Sequence, residues 1–155
     1  SVVNAGGSAA QALVASGGAM LKAIYSHPLP LVVGCTGHAI AAGALILLAA
    51  DSRIGTAGDF KIGLNETFIG AVLPPFALAL ADDRLSKRHQ TAAIIQAQLY
   101  DPIGAVDAGF LDLVVEPDDL MEDTLAEAAR LAALPNAAYA GNKIAIRKPF
   151  IERMP

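Results

Sequence analysis

Val32-Val33-Gly34-Cys35-Thr36-Gly37-His38-Ala39-Ile40-Ala41-Ala42-Gly43-Ala44-Leu45, continued to Ala50-Asp51-Ser52-Arg53-Ile54, is the stretch on which the fold of this 155-residue chain turns. The short β-branched run from Leu31 to Cys35 reads as a buried strand, and Thr36-Gly37-His38 turns the chain. Ala41 to Ala50 is apolar all round, which marks a helix buried on every side. Asp51 stands at its end, and Arg53 to Thr56 reads as the next strand. Small residues lead into the helix, whose first backbone N–H groups have no partner within it. With no bulky side chain in the way, a carbonyl oxygen can approach them, and the helix dipole favours negative charge there. Close helix–strand packing asks for the same small residues, so this stretch alone leaves both readings open.

Further along, Ala57-Gly58-Asp59 is a turn and Phe60 to Gly63 a strand. Then comes Gly63-Leu64-Asn65-Glu66-Thr67-Phe68-Ile69-Gly70-Ala71-Val72-Leu73-Pro74-Pro75-Phe76, with one carboxylate in an otherwise apolar run. An ionised carboxylate is costly to bury without a partner. Glu66 therefore suits a general acid/base, unless it caps a turn and faces solvent. An amide site that stabilises an enolate and an acid that moves a proton at the neighbouring carbon are complementary parts. Together they say more than either does alone.

The rest of the chain alternates short strands and helices, an α/β class. Residues 8–25 read as a helix weakened at Gly17-Gly18 and ended by His27-Pro28-Leu29-Pro30. Phe76 to Ala81 is a short helix, and Ser86 caps a helix from Lys87 to about Gln98. Asp101-Pro102 opens another, with Gly109 at its stop. Leu111 to Val115 reads as a strand. Asp118 to Leu134 is an amphipathic helix with an acidic start, and Ala137 to Lys148 is a last helix that Pro149 interrupts.

Composition narrows the function classes. The chain is 54% hydrophobic and 17% charged, enough for a large core and for surface buried against copies of itself. A net charge of −4, with no basic patch interleaved with aromatics, argues against nucleic acid as a partner. Ala39 to Ala50 is the longest apolar stretch and too short to span a bilayer. Cys35 is the one cysteine, so no internal disulfide is expected and a reducing, cytoplasmic setting is. The first residues do not form a secretory signal, and the absence of an initial Met suggests a chain that begins within something longer. His27, His38 and His89 have no metal-ligand spacing, so no metal site is expected. No Gly-x-Ser-x-Gly elbow, phosphate loop or dinucleotide fingerprint occurs.

The strand, Thr36-Gly37-His38-Ala39-Ile40-Ala41-Ala42-Gly43, the buried helix and Asp51-Ser52-Arg53-Ile54 together resemble the crotonase, or enoyl-CoA hydratase/isomerase, superfamily. Asp107-Ala108-Gly109-Phe110-Leu111-Asp112-Leu113-Val114-Val115 is similar to a later segment of that family. The resemblance runs from about Pro28 to Lys143. It implies a ClpP/crotonase ββα spiral core over residues 1–110, with a last strand and helices for trimerisation over 111–155. It implies an acyl-CoA thioester substrate, no covalently bound cofactor, and a homotrimer or a dimer of trimers. An oxyanion-hole amide falls on Ala42, where glycine is usual, with Gly43 beside it. The first of two hydratase glutamates falls on Leu45 and the second on Glu66. Ile62-Gly63-Leu64-Asn65-Glu66-Thr67 resembles the Δ3,Δ2-enoyl-CoA isomerases, which use this glutamate alone. Ile69, Gly70, Val72, Leu73 and Phe76 then bind the acyl group. Family members also carry an N-terminal portion, with the other oxyanion amide and much of the CoA pocket, that this chain lacks. Hydration, another acyl-CoA reaction, or a non-catalytic assembly subunit are the alternatives.

Overall fold

The computed structural model describes residues 2–155, with side-chain surroundings from Gly7 onward. Helix α1 spans Val2–Tyr25. It stays helical through Gly17-Gly18, and Gly18 lets Phe76 pack closely: a Cβ there would lie 2.7 Å from Cδ1 of Phe76. Two consecutive ββα units follow. The first is β1 (Val32–Cys35), β2 (Ala39–Ile40) and α2 (Ala42–Ala49). The second is β3 (Ser52–Thr56), β4 (Ile62–Gly63) and α3 (Pro75–Arg84). Their first strands pair in parallel, Val32 beside Ser52 through Cys35 beside Gly55. Their second strands also pair in parallel, Ala39 beside Ile62 and Ile40 beside Gly63. Stacking the units thus makes two sheets at once.

Each sheet gains a third strand from later in the chain. β5 (Leu99–Tyr100) runs antiparallel to β4, and β6 (Leu113–Val115) runs parallel to β3. Helix α4 (Pro102–Ala108) links them, with the Asp101 carboxylate accepting from the Gly104 N–H at 2.7 Å and Gly109 closing it at φ 106°. Helices α5 (Leu120–Ala132) and α6 (Asn136–Ile151) complete the chain.

α2 is buried as its uniform apolarity requires: Ala44, Leu45, Leu47, Leu48 and Ala49 all lie in the core. Eight residues are too few for a helix to stand alone in water. Burying each leucine side chain stabilises by about 1.5–3 kcal/mol, and that packing holds α2. Tyr25, Phe110, Leu111 and Met154 belong to the same core, so both ends of the described chain share it.

Strands β2 and β5 are not among the sequence expectations, β4 and β6 are shorter than expected, and two helical segments differ in kind. Lys87 to Gln98 is not one helix; a 3₁₀ turn (Lys87–His89) leads into a π-helical turn (Thr91–Ile95), and Ala97 reverses the chain at φ 54°. The Thr67 hydroxyl donates to the Ile94 carbonyl at 3.0 Å, a tertiary bond that captures an acceptor of this turn. Conversely, α6 runs through Pro149. The proline forgoes one backbone bond near the helix end, while Phe150, Ile151 and Met154 pack on the core just beyond.

Buried charge fastens the layers. Arg53 is 3% exposed. Its Nε donates to Asp112 at 2.9 Å, and Nη1 and Nη2 reach the Leu47 and Gly109 carbonyls at 3.0 and 2.8 Å. Asp51 receives more. The Leu31 N–H (3.2 Å), Tyr139 hydroxyl (2.6 Å), Lys143 Nζ (2.8 Å) and Arg147 Nη1 (2.9 Å) all donate to its carboxylate. Burial alone would raise its pKa. The hydrogen bonds from Lys143 and Tyr139 and the Arg147 charge outweigh that and hold the carboxyl below its usual range. α6 is therefore clamped to the end of α2.

Candidate functional site

The site begins at the carboxyl ends of β2 and β4. Because Ile40 and Gly63 are paired, the chain leaves both strands at the same level. From β2 it turns at once into α2. Ala41 makes the corner at φ 54°, ψ −115°, near the first central position of a type II′ turn, where glycine dominates. Two bonds hold it there. The Ala41 N–H donates to the Gly63 carbonyl and the Ala41 carbonyl accepts from Leu45, both at 3.0 Å. Ala42, at the first position of α2, is exposed, and Gly43 is half-buried. Among the described residues, no acceptor takes the Ala42 or Gly43 N–H. These are donors at the positive end of a helix, free for an oxyanion.

From β4 the chain passes through buried Leu64 into a turn that starts at Glu66. The Glu66 carbonyl accepts from Ile69 at 3.1 Å and from Ala71 at 2.9 Å, and Gly70 adopts φ 76°. The Thr67–Ile94 bond ties this turn to the π-helical segment. Glu66 is half-buried, and its Oε2 is buried with no hydrogen-bond partner among the described residues. A buried carboxylate oxygen without a partner is uncommon in a folded chain.

Leu45 is 6% exposed and lies in the core, so the residue aligned with a second acid adds only apolar packing. Gly70, Val72 and Leu73 border a groove of about 380 Å³ beside the Glu66 turn, walled opposite by Ile94 and Ile95. Val72 is 92% exposed and Leu73 is buried. Ile69 is exposed on the same turn. Phe76 is not in this groove; it sits against Gly18 and lines a separate one with Val14 and Pro75. Sequence reasoning missed Ile94, Ile95 and Thr67, since only the tertiary Thr67 bond brings the π-helical turn to the site. His38 lies at the border of the site. Its Nδ1 accepts from the Lys61 N–H at 3.0 Å and its ring meets Phe60 edge-on, clasping the approaches to β2 and β4.

Among the described residues no three His, Cys, Asp or Glu side chains cluster to hold a metal ion, and no helix is long and apolar enough to cross a membrane. The site as described brings together backbone donors, one acid and an apolar groove.

Residues 3–154 match the sequence profile described as enoyl-CoA hydratase/isomerase. The chain is 29% identical over 132 residues to human mitochondrial enoyl-CoA delta isomerase 1, covering 84% of this chain and 44% of that protein. It is 30% identical over 130 residues to a probable enoyl-CoA hydratase of Mycobacterium avium, covering 84% and 50%. The chain thus spans about half the length of the curated relatives it matches. The crystal structure of an enoyl-CoA hydratase/isomerase family protein from Pseudomonas syringae superposes with a TM-score of 0.92 at 44% identity, covering 95% of this chain and 64% of that one. Human mitochondrial delta3-delta2-enoyl-CoA isomerase gives 0.85 at 27% identity, covering 90% and 54%. The stacked ββα units, the open helix start at Ala42 and the profile match across nearly the whole chain agree: this chain belongs to the enoyl-CoA hydratase/isomerase family, with the crotonase fold.

Proposed function

We propose that the chain carries the proton-shuttling half of an enoyl-CoA isomerase, acting on acyl-CoA thioesters in fatty-acid metabolism. Glu66 removes a C2 proton from a 3-enoyl-CoA. The Ala42 N–H and one further amide hold the thioester oxyanion of the dienolate. Glu66 then returns the proton at C4, giving the 2-trans-enoyl-CoA. The observation that carries this reading is the buried, unpartnered Oε2 of Glu66 at the end of the strand paired with the one that feeds α2. The burial of Leu45 supports it, because a water needs two acids to hold and activate it while one acid suffices to move a proton between carbons. The groove of Val72, Leu73, Ile94 and Ile95 takes the acyl group.

The test is Glu66→Gln in the full-length protein with a 3-enoyl-CoA substrate. Loss of a general acid/base lowers kcat by at least ~10²-fold. A kcat within a few-fold of wild type removes Glu66 from the mechanism. Hydration is the second reading, favoured by relatives described as probable hydratases. Incubation with 2-trans-enoyl-CoA separates the two: accumulation of 3-hydroxyacyl-CoA selects hydration. Assembly into a homotrimer through α5 and α6 belongs to the same proposal. Met121 and Leu125 on α5 and Ile144 on α6 support it, being apolar and exposed. Light scattering on the full-length protein checks the assembly.

A further inference from the structure

A cavity of about 530 Å³ opens between the end of α3 and one face of α6. Its polar wall is Asp51, Asp83, Arg84, Asn142, Lys143 and Arg147. Three cations therefore stand against two carboxylates, and both carboxylates are engaged. Asp51 is held by Lys143, Arg147 and Tyr139, and Asp83 accepts from the Tyr25 hydroxyl. Arg84 is the surplus charge. Its Nη2 donates to the Ala50 and Asp51 carbonyls at 2.9 and 3.2 Å, and its buried Nε has no acceptor. Among the described residues, Nη1 has none either. The Arg147 guanidinium lies over the Tyr25 ring and spends Nη1 on Asp51 and on the Tyr25 carbonyl; among the described residues its Nε and Nη2 have no acceptor. Burial, then the charges of Arg53 and Arg147, push the Arg84 guanidinium down to about 10. Uncompensated positive charge is thus built into this wall.

We infer that the cavity binds a small free oxyanion, a carboxylate or phosphate, on Nη1 of Arg84 and the unspent N–H groups of Arg147, with the Asn142 side-chain amide as a further donor. Guanidinium groups match the geometry of both anions. The anion supplies the missing negative charge. Leu134 and Ile146 border the cavity with exposed apolar side chains that accommodate a short alkyl group. The site is separate from the Glu66 groove, with which it shares no lining residue.

The test is thermal melting of the full chain in chloride, acetate and inorganic phosphate at matched ionic strength, with calorimetric titration of phosphate. Ligand binding to the folded state raises the melting temperature saturably. The expected result is such a rise with acetate or phosphate and none with chloride. Arg84→Met, which removes a charged donor, weakens binding by about tenfold or more. Asn142→Asp changes an exposed position, leaves the buried network intact, and places a carboxylate where the anion would sit. It abolishes the anion-dependent rise, and it decides the matter if Arg84→Met fails to fold. Equal stabilisation by all three salts, or unchanged phosphate affinity in Asn142→Asp, overturns the inference.

Discussion

Two carboxylates, Asp51 and Glu66, sit fifteen positions apart and live under opposite conditions. Asp51 is ringed by donors on both oxygens, from a backbone amide, a tyrosine, a lysine and an arginine. Glu66 has an oxygen that is buried and without a hydrogen-bond partner among the described residues. Around Asp51 the helices are clamped; around Glu66 the apolar side chains of Phe68, Ile69 and Val72 stand in the open. A carboxylate whose capacity is used up by the fold has none left for a substrate. One that is buried with its capacity unspent costs the fold and is available for chemistry. The contrast distinguishes the carboxylate that holds the scaffold from the one on which the proposed function rests.

Asp51→Asn tests the scaffold side and carries the largest expected effect. Removing one partner of a buried ion pair costs about 3–5 kcal/mol, because Lys143 and Arg147 are left charged and uncompensated. Denaturant unfolding reads the loss, and a cost below about 1 kcal/mol would remove Asp51 from the scaffold. The pH dependence follows with its sign. The Asp51 carboxyl is held below its ordinary range, so its contribution is present above the usual value of about 3.9 and lost as pH falls through the depressed one. Asp51→Asn should flatten the acid limb of the stability profile.

Glu66→Gln tests the other side. Activity should fall by at least ~10²-fold, about 2.7 kcal/mol of barrier, with the melting temperature nearly unchanged. A variant that loses both would erase the distinction between the two acids. Tyr139→Phe is milder. It deletes one of four donors to Asp51 and should cost about 1–1.5 kcal/mol in stability. Ala97→Gly is the smallest. Relief of the left-handed backbone at φ 54° and the greater freedom of the unfolded glycine oppose one another, for a net gain below about 1 kcal/mol.

The same contrast explains what could be read from the sequence. Glu66 and the small residues before α2 are local signals, an acid in an apolar run and a helix with an open start. α4 was legible for a like reason, since Asp101, Pro102 and Gly109 are boundary signals that act within one turn. The Asp51 network was not legible. Its partners Tyr139, Lys143 and Arg147 lie 88, 92 and 96 residues away, and nothing local pairs them with it. β2 is two residues long and exists because β4 lies beside it, so no alternation could announce it. The π-helical turn and the helix through Pro149 both go against local preference, one by the Thr67 bond and the other by packing of Phe150 and Ile151.

Ala41 has a consequence in the time domain. A glycine at that corner would let the peptide linking residues 41 and 42 swing between orientations, since glycine crosses φ space freely. A methyl group narrows the arc, and the bonds to Gly63 and Leu45 bracket it on both sides. The Ala42 N–H is thereby kept in one orientation before any substrate arrives. In the proposed mechanism the entropy of aligning that donor is lost on folding rather than at each turnover.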